Sequence, residues 1–176
     1  MKNYEKVNGI VVCSRLFKEK DKLVTLITEK GTVEAVAKGA YSFKSHWIGR
    51  FEPLTELNLT LFHGPKITTI TQAYISNAHL SLRDKFEPLT YGLAMVNLVL
   101  DLSVVNSNDY KLYQLLTAAL NELEKNPESE LIFAALILKA LKAVGIFPYL
   151  NSCVKCKKTG GELFFNVSAG GLICSF

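Results

Sequence analysis

The hydrophobic period of this chain changes near Asn77, and that change constrains the fold more than any single motif. Before it, Lys6–Ser14, Leu23–Thr28 and Thr32–Lys38 are short runs rich in Val, Ile and Thr. Leu57, Leu59 and Leu61 alternate with Asn58 and Thr60, the period of a half-buried strand. Gly31 and Gly39 punctuate the runs, and Glu29-Lys30-Gly31 suits a hairpin turn. His63-Gly64-Pro65-Lys66 reads as a turn ahead of a fifth run, Ile67–Ile75. Five strands over residues 1–79 predict a small closed β-barrel of the OB type. The pattern alone leaves an SH3-like barrel or a small sandwich open.

After Asn77 the apolar residues recur at helical spacing. Asp84, Glu87 and Pro88 read as a helix start, followed by Leu89, Leu93, Val96, Val99 and Leu100. Asn106-Ser107-Asn108 predicts a break. Leu112, Leu115, Leu116, Ala119, Leu120 and Leu123 then form one face of a second helix. Asn126-Pro127 suggests a cap and first turn for a third helix, Leu131–Val144. That helix is apolar on most sides and is expected at the centre of a bundle. Gly145 and Pro148 end it. The expected organisation is therefore mixed β and α: a barrel at 1–79, a helical domain at 80–150 and a cysteine-containing segment at 151–176.

Charge separates these regions. The chain carries a formal +4, with net +4 in residues 1–80, −2 in 81–151 and +2 in 152–176. A basic N-terminal part favours an anionic partner, although a merely solubilising surface gives the same balance. The longest apolar stretches, Leu93–Val105 and Leu131–Val144, are too short or too interrupted for a membrane span. The start, Met1-Lys-Asn-Tyr-Glu-Lys, lacks the apolar core of a secretion signal. Four cysteines without such a signal suggest reduced thiols in a cytoplasmic protein.

Three of those cysteines cluster at the end. Cys153-Val-Lys-Cys156 is a knuckle that brings two thiolates to one point, with Gly160-Gly161, Gly170-Gly171 and Cys174 behind it. A tetrahedral zinc needs four ligands, and Cys153, Cys156 and Cys174 supply three. His46, His63 and His79 all lie in the barrel region. The readings are a structural zinc knuckle, a redox dithiol, and a remnant that binds no metal. The redox reading lacks the strand-to-helix setting that lowers thiolate pKa. Cys13 lies inside a strand run and is expected to be a small buried apolar residue.

Cations and aromatics concentrate where the barrel runs break. Arg15, Lys18, Lys20 and Lys22 surround the first turn, with Glu19 and Asp21 among them to pair part of the charge. Lys38, Lys44, His46 and Arg50 follow the third run, interleaved with Tyr41, Phe43 and Trp47. Cations that neutralise phosphates beside rings that stack bases suit sequence-indifferent nucleic-acid binding. The competing reading makes Phe43 and Trp47 core residues of a short helix across the barrel bottom, which is preferred for Trp47. No phosphate-binding loop or nucleophile–base pair is evident, so the chain is expected not to be an enzyme. A DNA-binding factor, a protein-interaction scaffold and a thiol oxidoreductase remain, in that order.

The order of the parts resembles the RecO family of bacterial recombination mediators. The residues that carry the resemblance are Gly9-Ile-Val-Val, Glu19-x-Asp21-x-Leu23, Thr28-x-x-Gly31 and Ala37-Lys38-Gly39-Ala40 with Lys44-Ser45. Glu52-Pro53-Leu54, Gly145-Ile146-x-Pro148-x-Leu150 and the Cys153/Cys156 knuckle complete the set. The resemblance implies an OB-fold barrel, a helical domain and, in members that keep the cysteines, a zinc ribbon. It also implies binding of single- and double-stranded DNA, annealing of complementary strands, and partnership with RecR and the single-strand-binding protein SSB to load RecA. The family's DNA contacts transfer to Lys38 and Lys44, and less directly to Arg50. Two departures stand out. Tyr41-Ser42-Phe43 occupies a place where members often carry arginines. The chain also stops before the fourth cysteine and the closing helices, as a C-terminally truncated member would.

Overall fold

The computed structural model describes residues 3–103 and 109–175. Five strands follow one another: β1 (Tyr4–Phe17), β2 (Asp21–Thr28), β3 (Gly31–Ala37), β4 (Glu56–His63) and β5 (Thr68–Asn77). They close into a barrel in the order β1-β2-β3-β5-β4. β1 pairs antiparallel with both β2 and β4, and a short parallel contact between β3 and β5 completes the ring. This is the OB arrangement, and it decides among the three architectures open to the sequence. α1 (Leu80–Arg83), α2 (Phe86–Ser103), α3 (Asp109–Lys125) and α4 (Glu130–Ala143) follow. The expected break at Asn106-Ser107-Asn108 lies outside the described residues. Two compact units result, residues 1–144 and residues 145–176.

β1 is the wall between two hydrophobic cores. Val7 and Val11 face the barrel interior with Val24, Leu26, Leu59, Leu61 and Ile70. Ile10 and Val12 face outward into a second core with Ile27, Leu54, Met95, Val99 and Leu116. Plain alternation carries this from Val7 to Val12, and a bulge then interrupts it. Val11 pairs with Leu26 and Cys13 with Thr25, so Val12 is the extra residue and the inside–outside phase shifts there. The same shift turns Cys13 to solvent, correcting the expectation that it is buried.

Residues 38–55 form a succession of turns, not a helix, across the barrel's end. Trp47 and Phe51 plug the barrel core with rings 5.5 Å apart, while Leu54, at φ 72°, reaches the helical core. Phe43, by contrast, is 100% exposed. Gly92 lets α2 approach this plug, since a Cβ there would stand 3.0 Å from Leu54 Cδ1.

The helices also depart from expectation in two places. Pro127 and Glu128 form a turn in which the Ser129 N–H donates to the Asn126 carbonyl, and the third long helix starts at Glu130 with Ser129 as its N-cap. That helix, α4, lies at the edge of the bundle. Leu136 and Ala140 are its buried residues, whereas α2 and α3 fill the centre through Met95, Val96, Val99, Leu112, Leu116, Leu120 and Leu123.

A buried ionic node joins barrel to bundle. His79 is 0% exposed and held at φ 45° just after β5, its N–H bonded to Asn77 Oδ1. Its Nε2 lies 3.2 Å from Glu56 Oε1 on β4, and its Nδ1 lies 2.9 Å from Glu124 Oε2 on α3. Ser81 and Asn77 also donate to Glu124. Burial pushes the imidazole pKa down, but the bonds to the two carboxylates outweigh it and the net shift is upward.

Candidate nucleic-acid interface and cysteine centre

Backbone bonds sew the β1–β2 turn to the segment after β3. The Gly39 N–H donates to Asp21 Oδ1 at 2.8 Å, and the Tyr41 N–H donates to the Lys20 carbonyl at 2.9 Å. Two stretches eighteen residues apart thus share one end of the barrel. Lys18, Lys20, Lys38 and Lys44 project there and are exposed, with Tyr41 and Phe43 also exposed beside them. Among the described residues none of these four lysines has a carboxylate partner.

The other sequence candidates are engaged. Arg15 pairs with Glu34 at 3.4 Å and Lys22 with Glu52 at 3.8 Å. Among the described residues the pairing acids are these two and not Glu19 or Asp21; Asp21 instead caps Gly39. Arg50 donates to the Ala73 carbonyl and lies over the Trp47 ring. It braces the plug against β5.

Sequence reasoning missed a second cationic position. A groove of about 670 Å³ is lined by Lys38, His46, Trp47, Tyr4, Phe62 and Lys66. Lys66 belongs to the β4–β5 turn and Tyr4 opens β1, so only barrel closure brings them to Lys38. The antiparallel pairing of Tyr4 with Phe62 is the one signal that strand register would have supplied.

The second unit contains a hairpin of β6 (Leu163–Asn166) and β7 (Gly171–Cys174) facing the knuckle. Val154 N–H donates to the Leu172 carbonyl at 2.7 Å, Leu172 N–H donates to the Tyr149 carbonyl at 3.0 Å, and Tyr149 N–H donates to the Gly170 carbonyl at 2.9 Å, a bridge centred on Gly171. This brings Cys153, Cys156 and Cys174 together, all three sulfurs within 4.8 Å and Cys156 to Cys174 at 3.5 Å. Thiolates about 2.3 Å from a tetrahedral zinc stand about 3.8 Å apart, so the spacing fits a metal ion. The backbone amides of Cys156 and then Cys174 point at the Cys153 sulfur and lower its pKa to about 6. Hydrogen bonding to the Cys156 and Cys153 sulfurs raises Cys174 to about 11. A thiolate prepared by amides beside two further thiols is a ligand cage for a soft or borderline cation.

Fold and sites together define an OB-barrel protein with a cationic barrel end, a helical bundle and a cysteine knuckle. Family models for "Recombination protein O N terminal" and "Recombination protein O C terminal" match residues 1–79 and 83–176. The chain belongs to the RecO family, a family of DNA repair and recombination proteins. It is 31% identical to the DNA repair protein RecO of Alkaliphilus metalliredigens, over 96% of this chain and 70% of that one. It is likewise 31% identical to the protein of the same name from Acetivibrio thermocellus, over 98% and 70%. The one from Thermobifida fusca is 32% identical over 95% and 70%. Among the described residues no helix is long and apolar enough to cross a membrane.

Proposed function

We propose that this chain is a non-catalytic recombination mediator that binds single- and double-stranded DNA and anneals complementary strands. The observation that carries the reading is the exposed group Lys18, Lys20, Lys38 and Lys44, free of acidic partners among the described residues and set beside Tyr41 and Phe43. Lysines that hold phosphates lower the repulsion between two strands, and loose contacts exchange fast enough for base pairing to choose the register. Arg15, Lys22 and Arg50 contribute field and scaffold, since each already has a protein partner. Family membership supports the further reading that the chain acts with RecR and SSB in placing RecA on SSB-coated DNA, in the cytoplasm. Cys153, Cys156 and Cys174 would hold a structural zinc that orders the second unit and takes no part in DNA chemistry.

The test is fluorescence anisotropy of a labelled single-stranded oligonucleotide at two salt concentrations. Binding should weaken with salt by a log–log slope of about −0.7 for each phosphate neutralised. Lys38→Ala with Lys44→Ala should weaken binding and make the slope shallower by about 1.4, with thermal stability unchanged. Salt-insensitive binding, or none at low salt, would leave the barrel as a scaffold for protein partners.

A further inference from the structure

We infer that the groove between the start of β1 and the β4–β5 turn is a subsite for an unpaired base of single-stranded DNA, with flanking phosphates on Lys38 and Lys66. The inference rests on the DNA-binding reading above and adds to it a position and a strand preference. The walls are two ring pairs. Tyr4 and Phe62 have centroids 5.0 Å apart, and His46 and Trp47 have centroids 4.2 Å apart. Tyr4 is 61% exposed, although it lies within a strand and beside an aromatic neighbour that could have covered it. The groove floor is fixed, because the Trp47 indole N–H donates to the Lys38 carbonyl at 3.1 Å.

Lys38 and Lys66 come from different loops, and neither has a carboxylate partner among the described residues. The acid next to Tyr4 in the chain, Glu5, is already engaged by Lys30 at 2.9 Å and His63 at 2.8 Å. The groove thus presents the exposed rings of Tyr4 and His46, backed by Phe62 and the buried Trp47, between cations, and its sign and shape match a phosphate–base–phosphate unit. Every base has a π-face, so stacking here carries no sequence preference. A duplex keeps its bases stacked, and extruding one costs unstacking energy, so the groove favours single strands.

Trp47 is the chain's one tryptophan, which makes its emission a reporter of this groove. The full chain is titrated with oligo(dT) and, separately, with a blunt DNA duplex at equal salt. Saturable quenching by oligo(dT), with little change on duplex, is expected. Tyr4→Ala with Lys66→Ala should weaken oligo(dT) binding roughly tenfold while duplex affinity stays within about twofold. Tyr4→Phe with Lys66 intact should keep nearly all the single-strand affinity. Both substituted residues are exposed, and an unchanged thermal midpoint checks the fold. Equal losses on both DNAs would overturn the subsite. So would no loss in this variant alongside a loss in Lys20→Ala/Lys44→Ala, which leaves DNA binding standing elsewhere on the barrel. Failure of the unsubstituted chain to bind either DNA would overturn both readings together.

Discussion

Replacing His79 by Asn tests the ionic node between barrel and bundle. Asn tolerates the left-handed backbone that His79 adopts, so the change removes the ring without adding backbone strain. The imidazole is fully buried and faces two carboxylates that retain 13% and 23% side-chain exposure. Removing one partner of a fully buried ion pair costs about 3–5 kcal/mol. Residual solvent at both acids, and the Ser81 and Asn77 bonds left to Glu124, reduce the expected loss to about 2–3 kcal/mol. For a unit of this size that is a fall in Tm of roughly 5–10 °C. The loss must also depend on pH. The folded pKa of His79 lies above its ordinary 6.5, so its stabilisation is complete below that value and fades as pH rises through the raised one. Glu124 is lowered from 4.5, so its contribution is present above that value and lost as pH falls through the lowered one. The node is therefore strongest between these two ordinary values. Urea unfolding of both proteins at pH 5.5, 7.5 and 9 measures the difference. A gap under about 0.5 kcal/mol at pH 5.5, or one that does not shrink towards pH 9, would refute the argument.

Two further outcomes follow from residues with assigned partners. Arg50→Ala should destabilise unit 1–144 by about 1–2 kcal/mol through the orphaned Ala73 carbonyl, and should leave the salt slope of DNA binding unchanged. A shallower slope with unchanged stability would make Arg50 a phosphate contact. Gly171→Ala places a Cβ against the Tyr149 carbonyl oxygen and 2.9 Å from Val154 Cγ2, so the strand must shift. Zinc uptake, read by metal analysis of loaded and desalted protein, should fall while the thermal midpoint of the barrel and bundle holds.

The barrel was largely legible in the sequence because alternation and glycine-marked turns are local signals. Glu29-Lys30 and Gly64-Pro65-Lys66 fall between strands as expected, with Gly31 opening β3 and His63 closing β4. The bulge at Val12 was not legible, because an unbroken apolar run from Ile10 to Val12 carries no phase. Only two separate cores explain why all three residues are buried. α4 misled for the opposite reason. Its apolar residues surround the helix, and a helix apolar all round is normally central, yet Leu131 is 79% exposed. The knuckle cysteines announce themselves by spacing. The groove partners Tyr4, Phe62 and Lys66 do not, because they are assembled by strand pairing from positions sixty residues apart.

The wall formed by β1 has a consequence for modularity. The two family models meet near residue 80, as though a chain could be cut and recombined there. The oil beneath that seam is continuous: Ile10, Val12, Ile27 and Leu54 from one side interlock with Leu82, Met95 and Val99 from the other. A barrel excised at that line would carry a greasy scar where its neighbour had been. The barrel and the helices up to Val144 are separable as text and inseparable as matter, so residues 1–144 melt as one body.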